Sequence, residues 1–280
     1  MKRLLSLFIL LLIFSFIYPS PLFPSKRGIV VKARLPNGKV KPLRLYSGYY
    51  ALVIGCSDYR YWPKLPNPVK DAKEVKEALE KLGFKVKLVL NPDSEALREA
   101  FGALVDGPGK DKSKGIFVYF AGHGHTLEKL SGKKLGYIVP IDTPNPNKDL
   151  KGFIKKAMSM REVEEISTLI KSKHVLMAFD SCFSGSIFRA VEKLPSRYIR
   201  EQVAKPVRAY ITAGGEDEPV PDESIFKICL IQGLVDGYAD RNRDGYLRYP
   251  VSVHTGSTVS YTHLRAHETR HDLVCRLLLE

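Results

Sequence analysis

The chain has 280 residues, 44% of them hydrophobic and 26% charged, which excludes a disordered protein and leaves room for one large domain or two small ones. Lys and Arg outnumber Asp and Glu by 44 to 30, a formal net charge of +14. The basic residues are spread along the chain without a dense run or a nucleic-acid motif, so the surplus reads as a solvated surface and no nucleic-acid partner is expected.

Residues 1–25 read as a targeting segment. Lys2 and Arg3 form a charged start, and 4–18 make an apolar run shorter than the about 20 residues of a comfortable membrane span. No clean small-x-small cleavage site precedes Lys26, so a secretory signal peptide and an uncleaved N-terminal anchor both stand. Either places the rest of the chain outside the cytoplasm, secreted, periplasmic or tethered to the membrane by this segment alone. Residues 26–49 form a β-rich lead-in with a PNG turn at 36–38.

From there strands alternate with helices. Residues 50–55 (YALVIG) read as a buried strand, and 69–82 as an amphipathic helix with Val69, Ala72, Val75, Leu79 and Leu82 on one face. A strand at 85–90, a helix at 94–105 and a strand at 116–120 follow. A shorter strand is expected at 135–142, and Ser159 with Glu162 makes a capping box for a helix to about 170. Then come a strand at 174–179 with His174 at its exposed start, a basic linker from about 186, a strand at 207–213 and a helix at 223–238. Such alternation implies one α/β domain, a mainly parallel sheet with helices on both faces. Four cysteines are too few for a disulfide framework, so the core must hold this fold.

The end of the chain is different. Residues 259–280 lack a periodicity that fits what precedes them and resemble a translated sequencing adapter. The codons GTC TCT TAT ACA CAT CTC CGA GCC CAC GAG spell residues 259–268, and GAT CTC GTA TGC CGT CTT CTG CTT spell 272–279. The domain is therefore expected to occupy 50–250, with 251–280 a doubtful tail, 259–280 adapter-derived and the fold truncated at its C-terminus.

Two strand ends carry the chemistry. FVYFAGHGHT (117–126) ends a strand on His123 among glycines, and VLMAFDSCFSG (175–185) ends another on Cys182 among Asp, Ser and Gly. In open α/β sheets ligands gather at the carboxyl ends of strands. A Cys becomes a nucleophile when a neighbouring His helps it exist as thiolate and later returns the proton. Glycine-flanked amides there are suited to a developing oxyanion. On these residues alone, a Cys at the end of an apolar strand is more often a buried core residue. His123, His125 and Asp180 suggest a three-ligand metal site, but no fourth ligand is evident and Cys182 would have no purpose, so no metal is expected and His125 is read as a loop residue.

These motifs resemble the caspase-like cysteine peptidases, in the metacaspase and bacterial caspase-family branch. ALVIGCSDY, KDAKEVKEAL, VYFAGHG, GYIVPID, DSCFSG and ITAGGEDEPVPDESIF carry the resemblance between residues 50 and 249. It implies a caspase-like three-layer sandwich, His123 as general base, Cys182 as nucleophile, and the amides of Gly124 and Cys182 as oxyanion hole. It also implies that Asp180 and Asp71 line a pocket for a basic side chain, so that peptide bonds after Arg or Lys are cut. Simpler roles exist for both: Asp180 orienting the His, and Asp71 as an anion favoured near a helix start. Where the family usually has Ser two residues before the His, this chain has Ala121, one polar pocket contact fewer.

DRNRDGYLRYPV places Asp240, Asn242, Asp244 and Gly245 at the offsets of half a calcium loop, but Val251 stands where a bidentate Glu closes it. No cofactor is therefore expected; calcium is not supported by these residues, and a dependence on it is left open. The partners expected are protein or peptide substrates bearing Arg or Lys, with self-processing in the basic linker. The alternative is a catalytically inactive caspase-like module acting through protein contacts.

Overall fold

The structure is a computed structural model that describes residues 30–34, 40–44, 46–128, 131–132, 134–181, 207–213, 224–235 and 265–268. Strands β1 (Val30–Arg34) and β2 (Val40–Arg44) pair antiparallel, in keeping with the β-rich lead-in expected from the sequence. The central sheet follows. It contains β3 (Gly48–Gly55), β4 (Phe84–Leu90), β5 (Lys114–Ala121), β9 (His174–Asp180) and β10 (Val207–Thr212), all parallel. A last strand, β11 (Arg265–Glu268), joins antiparallel to β10, giving the order β11-β10-β9-β5-β3-β4.

The period-two alternation of the strands builds two cores. One face presents Leu52, Ile54, Ile116, Val118, Phe120, Met177 and Phe179. It is covered by α2 (Ser94–Asp106) through Leu97, Phe101 and Leu104, and by α4 (Met160–Leu169) through Val163. The other face presents Ala51, Val53, Phe117, Tyr119, Ala121, Leu176 and Ala178. There α1 (Pro68–Lys81) contributes Ala72, Val75 and Leu79, and α5 (Ile225–Val235) contributes Phe226, Leu230 and Leu234. Helix, sheet and helix make three layers: the α/β caspase-like sandwich expected from the motifs.

Local chemistry sets the helix ends. Pro68 opens α1 with its φ preset and no N–H to satisfy. Asp93 caps α2 by accepting from the Ala96 amide, and Ser159 caps α4 by accepting from Glu162.

Three expectations are corrected. The strand read at 135–142 is shorter: β7 (Lys134–Ile138) lies outside the main sheet, in an antiparallel set with β6 (Gly124–Glu128) and β8 (Met158–Ser159). Pro140 removes a donor, and the turn at 141–142 ends the extended run. Between β7 and β8 lies α3 (Leu150–Lys156), capped by Asp149, in what reads from the sequence as loop. His174 is not exposed. It is 7% accessible and its Nδ1 pairs with the Tyr46 hydroxyl, ring against ring. Burial, with Lys173 and Arg208 adding to it, pushes its pKa down to about 4, so protonation there opposes folding.

The strand β11 falls within the adapter-like residues. Four-residue backbone pairing at a sheet edge makes little demand on side-chain pattern, so that pairing and the adapter resemblance coexist. The signal segment, the basic linker and the half calcium loop lie outside the described residues.

Candidate active site

Strands β3, β5 and β9 end level, with Gly55, Ala121 and Asp180 in register. The ladder continues one step further, as the Cys56 amide donates to Ala121 O (2.9 Å) and the Gly122 amide to Asp180 O (3.3 Å). The chain then leaves the sheet at His123 on one strand and Ser181 on its neighbour. Cys182, next in sequence, lies outside the described residues.

Only glycine fits before the His. Gly122 has φ +156, and a Cβ there would stand 2.5 Å from Tyr59 Oη and 2.9 Å from Cys56 Cβ. Both neighbours are buried, so neither can move aside. The same Tyr59 hydroxyl accepts the His123 amide at 2.8 Å. The close approach that excludes a side chain at Gly122 thus fixes the backbone of His123.

The imidazole is held as firmly. His123 Nε2 lies 2.8 Å from the Pro63 carbonyl oxygen. A carbonyl only accepts, so Nε2 carries the proton and Nδ1 is the basic nitrogen of the neutral ring. The ring packs on Tyr59 and Trp62, with centroids 4.6 and 5.4 Å away, and Trp62 is itself pinned by its indole N–H to Thr143 O (3.0 Å). Tyr59, Trp62 and Pro63 are site residues that the sequence reading missed. For Tyr59 and Trp62 the signal was present in YRYWP, which holds the single Trp of the chain between a strand and a helix.

His125 points into the same aromatic group, against Trp62 (5.5 Å) and Phe153 (5.4 Å). Burial lowers its pKa. Among the described residues no three His, Cys, Asp or Glu side chains are grouped to hold a metal ion.

Gly124 begins β6 opposite Ile138. The Val139 amide donates to His123 O (3.1 Å), which makes Gly124 and Ile138 a non-hydrogen-bonded pair. The Gly124 amide therefore points away from β7, directly beside His123. An N–H so turned is the kind of donor an oxyanion needs.

The carboxylates lie on the face covered by α1 and α5. The Tyr119 hydroxyl donates to Asp180 Oδ2 (3.1 Å). Burial raises the Tyr119 pKa well above the ordinary phenol value, and the negative charges of Asp180 and Asp71 add to it. Both pocket aspartates expected from the sequence are thus within electrostatic reach of one hydroxyl. Asp71, in the first turn of α1, is 3% accessible and accepts from Ser224 Oγ (2.6 Å).

Two other cysteines lie within the described residues. Cys56 is fully buried, and burial pushes its thiol up to about 12, although a hydrogen bond with Tyr59 works the other way. Cys229 is buried in α5. Neither is suited to nucleophilic attack at neutral pH.

A 101-residue stretch is 37% identical to the human (Homo sapiens) mucosa-associated lymphoid tissue lymphoma translocation protein 1 and 35% identical to its Mus musculus homolog. The matched stretch is 34% of this chain and only 11% of each relative. A solved structure from Geobacter sulfurreducens aligns with TM-score 0.49 at 15% identity, over 71% of this chain and 84% of that one. The Drosophila initiator caspase Dronc aligns with TM-score 0.44 at 11% identity, over 73% and 70%. The family model of the caspase domain matches residues 49–261. That span takes in the parallel sheet from Tyr49, the His123 loop and the end of β9, and on it this chain belongs to the caspase domain family of peptidases.

Proposed function

We propose that this chain is a cysteine endopeptidase that uses His123 and Cys182 as a dyad and cleaves after Arg or Lys. The observation that carries the reading is the fixed His123 ring, Nε2 spent on Pro63 and Nδ1 left as the basic nitrogen, at the end of a strand whose in-register neighbour runs straight into Cys182. In the reaction Nδ1 takes the thiol proton, and the thiolate adds to the scissile carbonyl carbon. The tetrahedral oxyanion is received by the Gly124 amide, together with that of Cys182. Nδ1–H then protonates the departing amine, leaving a thioester that water hydrolyses with His123 again as base. Asp180, with Asp71 behind it, supplies negative charge for a basic side chain before the scissile bond.

The dyad predicts selective alkylation. At pH 7, limiting iodoacetamide is expected to modify Cys182 at least about tenfold faster than Cys56 or Cys229, because only a thiolate reacts, burial disfavours it at Cys56, and Cys229 is buried away from the reagent. Peptide mass mapping reads this. Equal labelling of the three would argue for the inactive interaction module instead.

Two further properties belong to this reading. The apolar run at 4–18 supports export, with release or membrane tethering of the domain. The linker residues Arg189, Lys193, Arg197, Arg200 and Lys205 are basic sites that follow Cys182 in the same chain, so new chain ends after one of them are expected by mass spectrometry and are absent in Cys182→Ala.

A further inference from the structure

Both oxygens of Asp71 are committed to α5. Ser224 Oγ donates to Oδ2 at 2.6 Å, and the Lys227 ammonium lies 3.3 Å from Oδ1, close enough to pair though outside hydrogen-bond geometry. The same ammonium reaches Glu74 Oε2, one turn along α1, at 2.5 Å. The side chains of Lys227 and Asp71 are only 10% and 5% accessible.

Two features mark this cluster as more than incidental. Lys227 is the one charged residue in the helix IFKICLIQGLV, whose other residues are apolar except Gln232, and a largely buried ammonium there is costly unless paired. Ser224 holds φ +55, in the left-handed region that non-glycine residues seldom adopt. The start of α5 tolerates backbone strain while it holds a hydroxyl and an ammonium on Asp71.

An ammonium against Asp71, on the Tyr119 and Asp180 face of the sheet, supplies the chemistry of a substrate Lys or Arg side chain. We propose that Lys227 is a specificity-determining residue, an internal cation standing at the carboxylate that a basic substrate side chain would use. A substrate cation must displace it from Asp71 or bind through Asp180 alone. The inference rests on the basic-pocket reading given above. On this view Lys227 weakens ground-state binding of basic residues and leaves the chemical step alone, so it acts on KM and not on kcat.

The test uses agmatine, a small guanidinium probe, titrated calorimetrically into the full chain and its variants. Lys227→Met is expected to bind agmatine at least about tenfold more tightly than the unaltered chain. Adding Asp71→Asn to Lys227→Met is expected to reverse the gain. Because Met leaves two carboxylates without their cation, Lys227→Gln is measured in parallel; its amide still donates to Asp71, and a smaller gain in the same direction is expected. If all variants bind agmatine as the unaltered chain does, Lys227 is a structural ion pair and the inference fails while the basic pocket stands. If none of them binds agmatine, the basic pocket and the inference fall together.

Discussion

Cys182→Ala and His123→Ala are each expected to lower kcat/KM on Arg-containing peptides by about a thousandfold or more, with the fold retained. The nucleophile and its base act as one unit, so losing either removes most of the covalent pathway and only binding and oxyanion contacts remain. The structural consequences are smaller. His123 sits past the end of β5, and its ring contacts are with Tyr59, Trp62 and the Pro63 carbonyl. Removing that ring should cost on the order of 1–2 kcal/mol, a change that leaves the domain folded. Far-UV circular dichroism and the melting temperature measure this part, and peptide hydrolysis measures the other. If Cys182→Ala retains full hydrolysis, the mechanism is wrong whatever the family. If the unaltered chain hydrolyses nothing, the inactive interaction module takes its place.

Cys56 cannot take over in such variants. The Cys56 thiol is held near pKa 12 beneath Tyr59 and Gly122, so at neutral pH essentially none of it is thiolate. Cys56 works as packing: it fills the corner where β3 meets the His123 loop.

The parallel sheet and its flanking helices were legible because the strands are apolar or alternating runs with turn signals nearby, and α1, α2 and α4 each carry one apolar stripe. Those patterns are local. The two motifs at 117–126 and 175–185 were legible for a related reason, since reactive and small residues interrupt apolar runs where only strand ends occur. What escaped was set by contacts between distant residues. His174 looks like a polar strand start until Tyr46, 128 positions away, is seen to cover it. Pro63 has no sequence mark of its importance, because it acts through a backbone carbonyl that any residue would offer. β6 is half-buried, with no apolar alternation to announce it, and is formed by its pairing with β7. The Lys227 contacts are of the same kind: a lysine in an apolar helix reads as an interruption until Asp71 and Glu74 are placed opposite.

Selectivity before the scissile bond is expected to depend on Asp180. Peptides with Arg or Lys there should be cut, peptides with Asp should not, and Asp180→Ala should lower kcat/KM for the basic ones by about a hundredfold. Charge complementarity decides the sign. Asp180, Asp71 and Glu74 bring three negative charges to this face, and Lys227 returns one positive. A guanidinium or ammonium entering there gains a partner as it loses water, whereas a substrate carboxylate loses its water and meets like charge. Tyr119→Phe separates this pocket role from an indirect one. It removes the hydroxyl that donates to Asp180 but keeps the carboxylate, so it should cost no more than about tenfold, with the basic preference intact. If instead Asp180→Ala slows basic and neutral peptides by the same factor, Asp180 serves the orientation of His123 through its strand end, and the preference must come from other residues. Cleavage after Asp at a rate comparable to Arg would remove the basic pocket altogether, because no arrangement of these four charged groups favours an anion.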